Sequence, residues 1–266
     1  MFEKELNSLF ETMISKNFSQ GIQWSIQKDN SNYSGKVGFM NCDQKVPIRH
    51  DTIYRIWSMT KPIIAFAAII LMERKKVSLD DPIEKYIPEA KNLKVLKIIN
   101  NKNNLEDLKR SITIKDLLLH TAGFSYNFLN DPIGKEYEKE KIFHSSELSL
   151  KDEVNKILSL PLLFQPGEKW NYSVSIDVLA RIIEVITSQS IFNFLDENIF
   201  KPLNMSETFF YVDENKRHRI MTSYEFIQKS NKLNEVSFKP QTINNYGYPN
   251  GNIQYARGGH GLFTTI

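Results

Sequence analysis

The sequence predicts an α+β protein, and three observations carry that reading. Ile22, Trp24 and Ile26 alternate with Gln23, Ser25 and Gln27, the period of a half-buried strand, and Tyr33–Phe39 can return beside it as a hairpin. From about residue 58 the apolar spacing becomes helical, and several helices with their own start and stop signals follow. Ahead of the hairpin, Phe2, Leu6, Leu9, Phe10 and Met13 share one face of an amphipathic helix over residues 2–16.

The elements follow in order. Asp29–Asn30–Ser31–Asn32 is turn chemistry between the two strands. Residues 58–76 read as a long helix, apolar on nearly all sides through Ile63–Met72, which predicts burial in the middle of the protein. Ser78–Leu79–Asp80–Asp81–Pro82 turns into a short helix, and the Asn/Lys-rich residues 91–111 read as loop with some helix. Thr113 caps a short helix running to His120–Thr121–Ala122–Gly123, with Gly123 as its stop. Residues 125–145 read as a long, partly irregular connection. Ser149 with Asp152 resembles a capping box for a helix over 150–159, and Pro161 and Pro166–Gly167 punctuate the next loop. A helix over 175–188 presents Val178, Leu179, Ile182, Ile183 and Ile186 on one face, and another over 190–200 stops at Lys201–Pro202. Residues 212–257 are polar. A lone hairpin is not a stable sheet, and the downstream sequence shows too little strand to complete it.

Composition bounds the function. The chain has 266 residues, 41% hydrophobic and 12% aromatic, enough for a substantial core and against disorder. That length suits one large domain or two small ones. Its 34 Lys+Arg against 31 Asp+Glu leave a charge of only +3, with the signs interleaved as in Glu138–Lys139–Glu140, so no nucleic-acid footprint is present. Cys42 is alone, which excludes an internal disulfide and a thiolate metal centre. His50, His120, His144, His218 and His260 are scattered, so neither a metal nor a cofactor is expected. The longest apolar run, Pro62–Met72, is well short of the roughly 18–20 residues that span a bilayer. Glu3, Glu5 and Glu11 interrupt any signal peptide, so the expectation is a soluble, cytoplasmic protein without a membrane partner.

The sharpest chemical candidate is Ser58–Met59–Thr60–Lys61. Three residues along a helix is nearly one turn, so Lys61 lies on the face of Ser58 and within reach as a base. A serine at a helix N-terminus also sits where the dipole favours developing negative charge. A second copy, Ser25–Ile26–Gln27–Lys28, lies on a strand, where positions three apart face opposite sides. Spacing alone leaves Ser58 and Lys61 open between a nucleophile pair and an ordinary helix start. His120 at a helix end reads as a structural hydrogen-bonder, and Gly258–Gly259–His260–Gly261 as a close backbone crossing.

In order along the chain, several segments resemble the serine β-lactamase-like family, which includes class C β-lactamases, D-aminopeptidases and related carboxylesterases. Tyr54–Arg55–Ile56–Trp57–Ser58–Met59–Thr60–Lys61–Pro62 resembles its nucleophile motif. Leu79–Asp80–Asp81–Pro82, Ile114–Gly123, Phe164–Gln165–Pro166–Gly167, Tyr172–Ser173–Val174, Phe200–Met205 and Gly258–Thr265 resemble its later segments. The resemblance implies the β-lactamase/transpeptidase-like fold, an antiparallel sheet flanked by helices plus a mostly helical region. Residues 1–57 would supply the first strands and residues 58–266 the helical region, as one intertwined catalytic domain. It also implies a mechanism: Ser58 forms an acyl-enzyme, Lys61 and Tyr172 share proton transfer, and Tyr126, Asn127 and Trp170 bind substrate. The substrate would be a small-molecule ester or amide.

Two departures narrow this. The family's β-lactamases carry Asn two residues after the catalytic tyrosine, where this chain has Val174, and no export signal is present. Both favour the carboxylesterase branch, on small esters and with acyl transfer included. A D-peptidase, amidase or β-lactamase, and a non-catalytic binding protein on the same fold, are the alternatives. A third departure is the lack of the family's late Lys-Thr-Gly, His-x-Gly or Trp-Gly-Gly strand. Thr264–Thr265 reads as the N-cap of a further helix, so the expectation is an inactive fragment with an incomplete sheet. Oligomeric state has no signature in the sequence.

Overall fold

The computed structural model describes residues 2–100, 102–144, 148–236 and 256–266. In chain order its elements are α1 (Phe2–Ser15), β1 (Gly21–Lys28), β2 (Ser31–Asn41), β3 (Val46–Pro47), β4 (Tyr54–Arg55), α2 (Thr60–Glu73), β5 (Lys94–Ile99), β6 (Lys102–Asp107), α3 (Ile114–Leu118), α4 (Pro132–Lys139), α5 (Leu150–Leu158), α6 (Ser175–Thr187), α7 (Ile191–Leu195), β7 (Tyr224–Ile227), β8 (Lys232–Glu235) and β9 (Phe263–Thr264). They fall into two compact units. Among the described residues, one takes 2–55, 212–236 and 263–266, the other those of 56–211 and 256–262.

The first unit holds the expected hairpin. β1 and β2 pair antiparallel, with Trp24 opposite Gly35 and Ile26 opposite Tyr33. The turn is shorter than the sequence suggested. Asp29 and Asn30 alone form it, Asp29 at φ +52°, while Ser31 and Asn32 already pair with Lys28 and Gln27. α1 packs on β2. The buried Trp24 anchors it, its indole N–H donating to Asn7 Oδ1 at 2.9 Å with Phe2 and Phe10 against the ring. More strand is present than the sequence revealed. β3 extends the sheet beside β2, β4 pairs with β9, and β7 pairs with β8 inside the stretch read only as polar. Thr264 therefore pairs with Tyr54 as a strand residue, a correction to its reading as a helix cap. Two-residue strands leave no period to read, β7 has its half-buried positions, Tyr224 and Ile227, at its two ends rather than in alternation, and β8 carries a single apolar residue, Leu233.

The second unit is the helical body. α6 is its centre, contacted by α2, α3, α5 and α7. Val178, Leu179, Ile182 and Ile183 are buried, the face that the spacing predicts. α2 departs from expectation twice. It begins at Thr60, after a 3₁₀ turn over Trp57–Met59, and it ends at Glu73. It is also not buried all round. Ile64, Ala67, Ala68 and Leu71 face inward, while Phe66 and Ile69 are about half exposed (48% and 47%). Uniform apolar composition hides which stripe packs.

Of residues 91–111, Lys94–Ile99 and Lys102–Asp107 pair as a β-hairpin where loop was expected, and the helix is confined to the end of a 3₁₀ turn over Pro88–Asn92. β5 and β6 pair with Lys94 opposite Asp107, held by the ion pairs Lys94–Asp107 and Lys97–Glu106, the latter at 2.9 Å. Val95 alone faces the core from these strands, so the apolar alternation that marks a strand is missing. The hairpin is tied down by Leu96 N–H to the Leu162 carbonyl at 2.9 Å and Leu162 N–H to the Lys94 carbonyl at 2.8 Å.

Both expected caps form, but only α3 has a closed capping box. Thr113 Oγ1 accepts the Asp116 N–H and Asp116 Oδ2 accepts the Thr113 N–H, closing a capping box on α3. Ser149 Oγ accepts the Asp152 N–H at 3.1 Å at the start of α5. α3 ends at Leu118, however, with His120 taking the left-handed conformation (φ +56°) ahead of Gly123. Gly123 instead sits at φ +94° in the connection beyond, where a Cβ would strike the Phe164 carbonyl oxygen. The stretch read as irregular contains α4, capped by Asp131, whose Oδ1 accepts the Ile133 and Gly134 N–H groups. Among the described residues, no single helix is long and apolar enough to cross a membrane.

Candidate active site

Ser58 lies at the tip of the 3₁₀ turn that precedes α2. The residue before it, Trp57, has φ +46°, a conformation that costs a bulky side chain and persists only when its surroundings impose it. The turn is bracketed by the segment around Leu262. Ile56 N–H donates to the Leu262 carbonyl at 3.0 Å, and Leu262 N–H donates to Thr60 Oγ1 at 3.1 Å. Ser58 is exposed, as an attacking group must be, whereas Lys61 one turn on is buried.

Lys61 Nζ reaches Ser58 Oγ at 3.2 Å, Tyr126 Oη at 3.1 Å and the Gly259 carbonyl at 2.7 Å. An ammonium has three N–H groups, and these three oxygens satisfy all of them. Its charge also faces the Tyr172 ring at 4.6 Å and the Tyr126 ring at 5.3 Å. Tyr172 Oη lies 2.6 Å from Ser58 Oγ. The serine oxygen is thus in hydrogen-bond reach of a lysine and a tyrosine at once, and the arrangement can move a proton off Ser58 as it attacks.

Tyr172 is placed by backbone bonds on either side. Asn171 N–H donates to the His120 carbonyl at 2.9 Å and Val174 N–H to the Ser125 carbonyl at 3.2 Å. His120 Nδ1 pairs with Ser173 Oγ at 3.1 Å, and its ring lies 5.2 Å from that of Tyr172. Burial, with the nearby Lys61 charge, holds the His120 imidazole down at about 4, so it is neutral and structural near pH 7.

The structure brings Ser58, Lys61, Tyr172 and Tyr126 into one cluster. Tyr126 is buried, with its hydroxyl on Lys61 and its ring stacked on Phe128. Asn127 stands apart from that cluster. Its amide donates to the Ile142 carbonyl at 3.3 Å and to Glu138 Oε2 at 3.4 Å, bracing the loop. Trp170 is 67% exposed and touches the edge of His120. Two participants escaped the sequence reading. Gly259 supplies the shortest of the three lysine acceptors, and Asp177 Oδ1 accepts the Gly259 N–H at 2.9 Å. The available signals were an acid between Ile176 and Val178 on an apolar face, and the Gly-Gly pair. The close backbone crossing expected there is present, since a Cβ on Gly258 would strike the Ile176 carbonyl oxygen. Among the described residues, no group of three or more His, Cys, Asp or Glu is arranged to hold a metal.

Comparison with known proteins gives one family. The chain is 32% identical over 191 residues to Esterase EstB of Burkholderia gladioli, covering 71% of this chain and 46% of that protein. It is 30% identical over 234 residues to Lovastatin esterase of Penicillium rubens, covering 84% and 54% respectively. The chain spans about half the length of the curated relatives it matches. Among solved structures, EstCE1, described as a hydrolase with promiscuous acyltransferase activity, superimposes with a TM-score of 0.83 at 22% identity over 98% of this chain and 68% of that one. Simvastatin Synthase (LovD) from Aspergillus terreus gives a TM-score of 0.79 at 25% identity, covering 99% and 65%. Both share the β-lactamase/transpeptidase-like fold with this chain. The Beta-lactamase family model matches residues 6–266, and the chain belongs to that family.

Proposed function

We propose that this chain carries the nucleophile centre of a serine hydrolase that acts on small carboxylic esters through an acyl-enzyme. The observation that carries the reading is the exposed Ser58 Oγ, 2.6 Å from Tyr172 Oη and 3.2 Å from Lys61 Nζ. Ser58 Oγ attacks the ester carbonyl and its proton passes to Tyr172 Oη, which in this proposal enters the step as phenolate beside the Lys61 ammonium. Tyr172 returns the proton to the departing alkoxide as the C–O bond breaks, leaving the acyl group on Ser58. Water then attacks the acyl-enzyme and releases the acid. A second alcohol in place of water gives acyl transfer, a course supported by a further relative, Monacolin J acid methylbutanoyltransferase of Aspergillus terreus, 31% identical over 175 residues. Tyr126 belongs to the same machinery by its hydrogen bond to Lys61, while Trp170, exposed beside His120, is a candidate substrate contact. The two residue ranges, 1–57 and 58–266, act in this proposal as one intertwined catalytic domain.

Esters are preferred to β-lactams here because Val174 is fully buried and apolar. It has no group with which to hold an amide side chain. Hydrolysis of a nitrophenyl ester by the full-length protein, compared with its Ser58→Ala variant, tests the proposal. Turnover that depends on Ser58 is expected, and turnover that survives the substitution sinks it. Labelling by a fluorescent penicillin with no ester turnover would move the assignment to the β-lactam branch.

A further inference from the structure

We infer that Asp177 is the positioning residue of the proton-transfer pair: it fixes Gly259, and through the Gly259 carbonyl and its own charge it holds Lys61 on Ser58. The inference rests on the proposed role of Ser58 and Lys61 and adds a residue to it.

Four observations converge. Asp177 is completely buried in the first turn of α6, a costly place for a carboxylate. Its Oδ1 accepts the Gly259 N–H at 2.9 Å, and the carbonyl of that same glycine accepts from Lys61 at 2.7 Å. Its Oδ2 is buried without a hydrogen-bond partner, so part of its acceptor capacity goes unused. A side chain at position 259 would lie 2.5 Å from both Asp177 Oδ2 and Tyr126 Oη, so only glycine lets these groups converge.

Charge accounting gives the carboxylate a purpose. The Lys61 ammonium touches only neutral oxygens, those of Ser58, Tyr126 and Gly259. The other buried cation facing Asp177, Arg257, is already paired with Glu153 at 3.1 Å. Asp177 is thus the carboxylate left to balance Lys61. The groups that face it are Lys61 on α2, Glu153 on α5, Tyr126 after α3, and Arg257 with the Gly259 N–H on the segment before β9. His260, next to Gly259, is held neutral by burial and the nearby Arg257 and Lys61 charges, at about 3. Burial pushes the Asp177 carboxyl up to about 6 against the pull of Lys61, the Gly259 N–H and Arg257. The group is therefore ionised at neutral pH and loses its charge in mild acid.

Asp177→Asn keeps an oxygen for the Gly259 N–H and removes the charge. Asp177→Ala removes both. With a nitrophenyl ester near neutral pH, Asp177→Asn is expected to lower kcat about tenfold or more with KM within about twofold, because misplacing a proton-transfer group costs rate rather than ground-state binding. Asp177→Ala should cost more, and the wild-type acid limb near pH 6 should vanish in Asp177→Asn. A kcat within twofold, or a superimposable pH profile, would overturn the inference. NMR titration of the Asp carboxyl carbons and the Lys61 ε-methylene gives a readout without turnover. In the wild type both signals should step near pH 6, and in Asp177→Asn the Lys61 step should be gone. An Asp177 signal that titrates in the ordinary carboxylate range, with Lys61 unmoved, also overturns it. Ester turnover that survives Ser58→Ala would sink the serine-hydrolase proposal instead, and the titration would still decide the link from Asp177 to Lys61.

Discussion

Replacing Arg257 by Met should be among the most damaging single changes to this fold. The Arg257 and Glu153 side chains are both 0% exposed, and Nη2 meets Oε2 at 3.1 Å. Glu153 Oε1 also accepts the Phe143 N–H at 2.6 Å, and the guanidinium donates to the Leu148 carbonyl at 3.2 and 3.3 Å. Methionine fills much of the volume but leaves the Glu153 carboxylate buried without its cation, worth about 3–5 kcal/mol. Net stabilities of roughly 5–15 kcal/mol make that about a fifth of the total or more. The double variant Glu153→Gln/Arg257→Met removes both charges, keeps an acceptor for Phe143, and should recover most of the loss. Urea unfolding followed by tryptophan fluorescence, with the slope held constant, measures each corner of the cycle. A loss under about 1 kcal/mol for Arg257→Met, or single effects that simply add, would mean that the pair is solvated and the reasoning wrong.

Three further outcomes follow from the same geometry. The Asp177 pKa is raised in the fold from 3.8 to about 6, so its contribution is favourable below 3.8 and is lost as pH rises to about 6. Ionisation then costs on the order of 3 kcal/mol at neutral pH, and Asp177→Asn should raise the neutral-pH Tm by several degrees while leaving it little changed near pH 3. Gly123→Ala forces a Cβ onto φ +94° and into the Phe164 carbonyl oxygen. Urea unfolding should show a loss of more than about 1 kcal/mol, and a neutral result would contradict the close approach. Tyr172→Phe removes the hydroxyl 2.6 Å from Ser58 Oγ and should lower ester kcat by about 10²–10⁴ with the fold intact by circular dichroism. An unchanged kcat would take Tyr172 out of the proton path.

Elements that announce themselves locally were legible in the sequence. The α6 stripe Val178, Leu179, Ile182 and Ile183 and the Thr113 and Ser149 caps each have a nearest-neighbour cause and appear where the pattern puts them, and the alternation through Trp24 marks β1 even though Trp24 alone of its three apolar residues is buried. What stayed hidden depends on partners distant in sequence. β5 and β6 carry one core-facing residue between them, because cross-strand ion pairs and a dock on Leu162 do the work that apolar alternation does elsewhere. β4 and β9 pair two residues each across some two hundred positions, which no window detects. Trp57 in a left-handed conformation contradicts its own propensity, and the turn that carries it is bracketed by the distant segment around Leu262.

The site divides along the same line, and the division bears on how such centres can be found. Ser58 and Lys61 are visible because one helical turn links them. Tyr172, over a hundred positions away, was legible only through family resemblance, and Gly259 was not legible as a participant at all. Yet Gly259 and its partner Asp177, equally unread, each leave a local contradiction behind. An aspartate occupies a buried position on an apolar helix face, and a pair of glycines sits where backbones cross. Each breaks a packing rule, and each costs stability that the fold does not recover by itself. The two irregularities meet at the hydrogen bond from the Gly259 N–H to Asp177, one residue from the nucleophile's lysine. A buried acid and a crowded glycine that satisfy each other beside a buried lysine are therefore better read as one device than as two defects, with Lys61 as what it serves.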